Sequence, residues 1–219
     1  AECTFQPNAA PSITAPVDIT SLDCTGLTQL TTVGHKWLYH CDNLTSLDCA
    51  GLARLVSVGD AWLSSCTSLQ TLDCTGLTQL TKIGSDWLRW CYRLATVNCT
   101  GLTQLATVGD DWLHGCTRLT SLDCRGLQKL SKVGRSWLRG CTSVQSLDFT
   151  GLEKLDTIGH SWLRDCANLT SVDCTGLVQL ATIGHSSLRG CRRLHCARLL
   201  SSDVVQSAHG FCPSPGLCP

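Results

Sequence analysis

Leu44-Thr45-Ser46-Leu47-Asp48-Cys49, followed after a turn by Gly59-Asp60-Ala61-Trp62-Leu63-Ser64-Ser65-Cys66, is the stretch that decides the fold. In the first segment the apolar Leu47 and Cys49 flank a polar Asp48. Such period-two alternation marks a strand with one buried face. In the second segment Trp62, Leu63 and Cys66 are spaced like one face of a short helix. Between them Gly51-Leu52-Ala53-Arg54-Leu55 reads as a turn with two inward Leu residues.

Both segments recur at a step of 25 residues. Leu22-Asp23-Cys24, Leu47-Asp48-Cys49, Leu72-Asp73-Cys74 and Leu122-Asp123-Cys124 share one spelling; Val97-Asn98-Cys99, Leu147-Asp148-Phe149 and Val172-Asp173-Cys174 fill the remaining places. Trp37, Trp62, Trp87, Trp112, Trp137 and Trp162 keep the same step. Counted from Ile19 as position 1, apolar residues occupy positions 1, 4, 6, 9, 12, 15, 19, 20 and 23, with Gly at 8 and 16. Each unit reads as strand, turn, short extended segment and short helix. One unit cannot bury its apolar face alone, whereas stacked units can. The expected fold is an α/β solenoid: a right-handed superhelix with a parallel concave sheet and short helices on the convex side. Seven repeats cover 19–193. Residues 1–18, with Pro7, Pro11 and Pro16, read as an N-terminal cap or linker, and 194–219 as a C-terminal cap or tail containing Cys and Pro.

The Leu-x-x-Leu-x-Cys half of the unit is similar to the leucine-rich-repeat strand signature. The Ile/Val-Gly-x-x-Trp-Leu-x-x-Cys half resembles the Ile-Gly-x-x-Ala-Phe-x-x-Cys block of the bacterial-surface-protein-A-like (Treponema pallidum-type) class. The spelling LTSLDCTGLTQLTTVG is also similar to surface repeats of protozoa. The chain departs from that class in using Trp-Leu for Ala-Phe, and Cys where strands usually carry Leu or Ile. The resemblance implies the leucine-rich-repeat fold, with adhesion or ligand recognition at a cell surface.

Composition narrows the function. The 219 residues are 43% hydrophobic and 16% charged, with zero formal net charge. This removes the electrostatic argument for nucleic acid or an anionic membrane. The balance hides a net −4 over 1–110 and a net +4 over 111–219. No apolar run reaches the roughly 18–20 residues needed to insert in a bilayer. The chain opens on Ala1, contains no Met and has no signal-peptide pattern, so it reads as a processed chain or a fragment.

Seventeen Cys raise the question of disulfides or metal. Position 6 holds Cys24, Cys49, Cys74, Cys99, Cys124 and Cys174; position 23 holds Cys41, Cys66, Cys91, Cys116, Cys141, Cys166 and Cys191. The two columns sit at opposite strand ends, roughly 16 Å apart, too far for a bridge. Phe149 stands in the position-6 column, where neither a staple nor a ligand accepts Phe. The thirteen are therefore expected as buried free thiols. Cys3, Cys196, Cys212 and Cys218 lie outside the columns, with Cys212–Cys218 the favoured disulfide; no metal site is expected.

No phosphate-binding loop, nucleophile elbow or zinc-protease motif occurs, so neither an enzyme nor a cofactor is expected. Position 5 projects from the concave sheet as Asp23, Asp48, Asp73, Asn98, Asp123, Asp148 and Asp173. Two readings compete: carboxylates that accept local backbone or hydroxyl hydrogen bonds, and an acidic stripe for a basic ligand. His35, His160 and His185 at position 17 read as solvated helix starts, the Trp column as core, and Arg89, Arg139, Arg164 and Arg189 at position 21 as solvated surface. Asn43, Asn98 and Asn168 begin glycosylation sequons. Thr columns broken by Ala50, Lys82, Arg125 and Lys132 argue against ice binding. The sequence points to an extracellular or cell-surface, non-enzymatic recognition or adhesion module for a protein or glycan partner. The alternative is a structural protein that self-associates end to end through its unlike halves, a weak homo-oligomer.

Overall fold

The structure, a computed structural model, describes residues 18–194. It is a parallel β-solenoid of seven turns. The expected cap segments lie outside the described residues apart from Asp18 and Leu194.

Every coil places its residues beside their equivalents 25 positions away. The LDC-type strands are Ser21–Asp23, Ser46–Asp48, Thr71–Asp73, Thr96–Asn98, Ser121–Asp123, Ser146–Asp148 and Ser171–Asp173. They pair in parallel with Leu22 on Leu47, Leu72 on Val97 and Leu147 on Val172. This strand face is ladder-paired in groups of two, three and two, with neighbouring groups still adjacent. The extended segment expected after the turn forms the continuous sheet of the molecule. Thr32–Val33, Ser57–Val58, Lys82–Ile83, Thr107–Val108, Lys132–Val133, Thr157–Ile158 and Thr182–Ile183 pair as one seven-stranded parallel sheet.

The short helices on the convex side are not there. Among the described residues the one helical element is a 3-10 turn, Ala50–Leu52, so the solenoid is β-class rather than α/β. Positions 18, 20 and 22 of every coil instead take positive φ, as Asp111 (59°), Leu113 (58°) and Gly115 (77°) do in the fourth. The backbone bonds leave the coil: Asp111 N donates to Arg135 O at 2.7 Å, Leu113 N to Trp87 O at 3.0 Å, and Gly115 N to Arg139 O at 2.7 Å. Within the coil only turn bonds close, such as His114 N to Asp111 O at 3.1 Å. A seven-residue segment is too short to sustain a helix by its own bonds. Coil-to-coil bonding satisfies the same groups at a spacing the neighbouring sheets already impose. The left-handed turn at position 20 also explains how the adjacent Trp and Leu both point inward.

The interior follows the expected columns. In the fourth coil Leu94, Val97, Cys99, Leu102, Leu105, Val108, Trp112, Leu113 and Cys116 are all buried. Six indoles stack along the axis from Trp37 to Trp162, with centroids 5.8, 5.5, 5.1, 5.2 and 6.2 Å apart. Phe149 explains the widest gap: its ring lies 5.2 Å from Trp137 and 5.6 Å from Trp162. Gly at position 8 answers a different need. A Cβ on Gly151 would come 2.6 Å from Cys124 O of the preceding coil, a clash with backbone that cannot give way.

The left-handed column yields a direct test. Leu113 and Leu102 are both buried Leu, but only Leu113 has positive φ. A β-branched residue is strongly disfavoured in that region. Leu113→Ile is expected to cost about 1–2 kcal/mol more than Leu102→Ile in urea unfolding. Equal losses would mean that the turn ladder is absent.

Candidate binding surface

The position-5 row stands at the C-terminal ends of the LDC-type strands. Each side chain closes a turn onto the backbone N–H two residues on. Asp23 Oδ1 accepts from Thr25 N at 2.8 Å, Asp48 from Ala50 at 2.8 Å, Asp73 from Thr75 at 3.0 Å and Asn98 from Thr100 at 3.0 Å. Asp123 accepts from Arg125 N at 3.0 Å, Asp148 from Thr150 at 2.9 Å and Asp173 from Thr175 at 2.9 Å. Neighbouring rungs touch where the amide intervenes: Asn98 Nδ2 donates to Asp73 Oδ1 at 3.2 Å. One oxygen per residue is therefore committed to the fold. These bonds stabilise the ionised form and hold three carboxyls below the usual range: Asp23 through the Thr25 amide, Asp123 through the Arg125 side chain, and Asp173 through the Thr175 hydroxyl and amide.

The surface around the row is grooved, with polar side chains standing over the buried Val97, Leu122, Leu147 and Val172. One groove is lined by Thr96, Asn98, Ser121, Asp123, Arg125, Asp148 and Thr150. A second runs on along Ser121, Ser146, Asp148, Ser171 and Asp173. Together they span four coils, with hydroxyls along the middle and carboxylates along one side.

Position 17 does more than the sequence reading gave it. Its side chain accepts the backbone N–H of the same position one coil on. Asp60 N donates to His35 Nδ1 at 3.1 Å, Ser85 N to Asp60 Oδ1 at 2.8 Å, Asp110 N to Ser85 Oγ at 3.2 Å, Arg135 N to Asp110 Oδ1 at 2.8 Å and His185 N to His160 Nδ1 at 2.9 Å. His35 and His160 are thus rungs of a cross-coil ladder and not helix starts. The signal was present in the column: Asp60, Ser85 and Asp110 share with His an acceptor on a short side chain.

The thirteen column cysteines are buried and unpaired. The position-23 thiols are also donors. Cys66, Cys91, Cys116, Cys141, Cys166 and Cys191 donate to the position-20 carbonyl of the preceding coil at 3.0–3.1 Å, as Cys116 does to Leu88 O. A small apolar side chain with one weak donor fits that place better than Ala or Val. Burial pushes Cys24, Cys91, Cys141 and Cys174 up to about 12. Cys3, Cys196, Cys212 and Cys218 lie outside the described residues.

On the turn side, Arg89 pairs with Asp86 at 2.7 Å and Asp111 at 3.6 Å, while Arg139 and Arg164 share Asp165 at 3.6 and 3.4 Å. Two sequon amides are engaged: Asn98 as above, and Asn168, whose Nδ2 donates to Thr142 O at 2.8 Å. Asn43 sits exposed at a coil junction. No group of three or more His, Cys, Asp or Glu among the described residues is arranged to hold a metal ion. No helix among them is long and apolar enough to cross a membrane.

Two overlapping spans, 17–120 and 81–208, match the family model of the BspA-type leucine-rich repeat region. The chain is a BspA-type leucine-rich-repeat protein. Leucine-rich repeats generally mediate protein interactions. The crystal structure of the T. pallidum leucine-rich-repeat protein TpLRR is similar over 77% of this BspA-type chain and 73% of that one, with 21% identity and a TM-score of 0.58. A leucine-rich-repeat protein from Bacteroides ovatus matches over 82% of this chain and 52% of its own, with 19% identity and a TM-score of 0.46. At these identities the likeness is one of fold. No curated protein sequence matches the BspA-type chain.

The raised thiols set an alkaline limit. Above the ordinary thiol range near pH 8.5, the unfolded chain gives up protons that the folded chain keeps. Stability is then whole below about pH 8.5 and falls as pH rises towards 12. Thiol counting at pH 8 is expected to find the column cysteines unreactive until denaturant is added, with an unfolding midpoint that drops steadily above pH 9. Fast labelling of the folded chain would contradict this burial. The carboxyls act in the opposite sense: their contribution is present above about pH 4 and lost as pH falls through the depressed values. Asp123→Asn with Asp173→Asn, which keeps the turn acceptor as Asn98 does, is expected to flatten the acid limb of the stability curve.

Proposed function

We propose that this protein is a non-enzymatic recognition module, extracellular or attached to a cell surface, that holds a protein partner against its strand face. The observation that carries this reading is the polar groove running over four coils from Thr96 to Asp173. Short hydroxyl side chains run along it, and Asp148 and Asp173 keep a second oxygen for a partner while the first closes the turn, whereas Asp123 gives both oxygens to Arg125. A surface of donors and acceptors on a rigid scaffold can specify a partner through many weak bonds. Repeats 19–193 form the recognition array, with 1–18 and 194–219 as its caps. Adhesion and a glycan partner are finer versions of the same role. End-to-end association rests on the charge difference between the halves alone.

Photo-crosslinking tests the strand face. A crosslinking side chain at Ser121 or Ser146 is expected to capture the same partner protein from an extracellular protein mixture. One at Lys154 or Arg189, away from the groove, is expected to capture none. Ser121→Arg with Ser146→Arg fills the groove at exposed positions and is expected to weaken binding about tenfold or more without lowering the melting temperature. Equal capture from all four positions, or unchanged binding by the double variant, would remove the strand face from the function.

A further inference from the structure

A second surface lies where the stacked turns run into the strand face of the third and fourth coils. Arg93 and Arg118 occupy position 25 of successive coils, about 4.8 Å apart along the axis. They line a shallow cavity of about 450 Å³ with Gln70, Thr120 and Ser143, and no acidic residue contributes to it. Arg89, Arg125, Arg135, Arg139 and Arg164 all have a carboxylate within 4.0 Å. Among the described residues Arg93 and Arg118 have neither a carboxylate within that distance nor a hydrogen-bond partner. Two like charges set side by side oppose folding, so the pair has no structural return among the described residues.

Trp90 and Tyr92 precede Arg93 in the same coil. Six Trp of the array are buried, but Trp90 is 38% exposed and Tyr92 46%. Trp90 is held in place: the Arg89 guanidinium lies 4.0 Å from its ring centre, and Arg89 is itself fixed by Asp86 and Asp111. In the next coil the column is Gly115, where a Cβ would come 2.7 Å from Trp90 Cδ1. Arg, Tyr and Trp are the residues that dominate protein interfaces, and within four residues of the chain Trp90, Tyr92 and Arg93 are all present.

We propose that Arg93 and Arg118, in the cavity they share with Gln70, Thr120 and Ser143, form a docking site for an acidic protein segment. Each guanidinium offers a forked pair of donors to a carboxylate. Two forks one coil apart suit neighbouring acidic side chains of one segment, and the Gln70, Thr120 and Ser143 groups complete the hydrogen bonds. The cavity is too open for a single inorganic ion to fill, and the exposed Trp90 and Tyr92 of the same coil add apolar surface that a protein segment can cover. This site lies on the lip of the strand face and goes beyond the groove described above; it stands whether or not the groove binds.

Fluorescence anisotropy with a fluorescein-labelled peptide of Glu-Glu-Leu repeats, at low ionic strength, provides the test. Arg93→Ala with Arg118→Ala is expected to weaken binding about tenfold or more, and the loss shrinks as salt rises. Arg93→Lys with Arg118→Lys keeps the charge and loses the fork, and about a threefold loss is expected. Arg139→Ala with Arg164→Ala removes the same charge from paired arginines and is expected to change binding less than about twofold. Neither target arginine supports the fold, so the melting temperature of the first variant stays at the wild-type value. Equal losses from the two double-alanine variants would reduce the effect to net charge and overturn the site. So would undiminished binding by the first, or tighter binding of a size-matched heparin oligosaccharide with the same dependence on Arg93 and Arg118.

Discussion

The whole molecule depends on the registration of each coil on its copy 25 residues away. Three ladders enforce it: the strand face, the seven-stranded sheet and the stacked turns. Each coil can bond only to its two neighbours, so the register of one fixes the register of the next. A slip of one residue would turn the inward side chains of the strands outward. The glycines at positions 8 and 16 guard the same spacing, because a Cβ there meets the backbone of the adjacent coil.

Once the coils are in register, every side chain meets its own kind, and each column must accept self-contact. Indoles accept it by stacking, an arrangement that contributes beyond area burial. It also has a cost. Nε1 of Trp62, Trp87, Trp112, Trp137 and Trp162 is buried with no hydrogen-bond partner, a penalty of about 1–3 kcal/mol for each group in general. The position-23 thiols accept self-contact by bonding to a carbonyl of the preceding coil. Carboxylates accept it by turning one oxygen to the local backbone, and position 17 by donating and accepting in relay. Arg93 and Arg118 meet like to like without such a settlement among the described residues.

Much of this was legible in the residues. The period, the nine inward columns, the fate of the column cysteines and the competing local role of the Asp row all followed from spacing and residue type. The turn ladder did not. Trp112, Leu113 and Cys116 have the spacing of a helical face, and a sequence window cannot tell a bond to i−4 from a bond to the next coil. A signal was nevertheless present: positions 18, 20 and 22 contain no Val, Ile or Thr in any coil of this Thr-rich chain. That is the exclusion expected where φ is positive. The anchoring role of position 17 was hidden because His, Asp and Ser look unlike in composition and alike only as acceptors. The meeting of columns 25 and 2, which builds the Arg93 and Arg118 cavity, depends on how the coil turns and not on any local motif.

The indole row has an optical consequence. Six near-parallel chromophores with centroids 5.1–6.2 Å apart lie well inside the range over which excitation hops between tryptophans. A photon absorbed at Trp37 has no reason to leave from Trp37. The geometry makes the row an antenna through six of the seven coils. Where Phe149 prises Trp137 and Trp162 apart by 22°, the antenna has its weakest link, so coils one to five form one optical segment and Trp162 a terminus loosely joined to it.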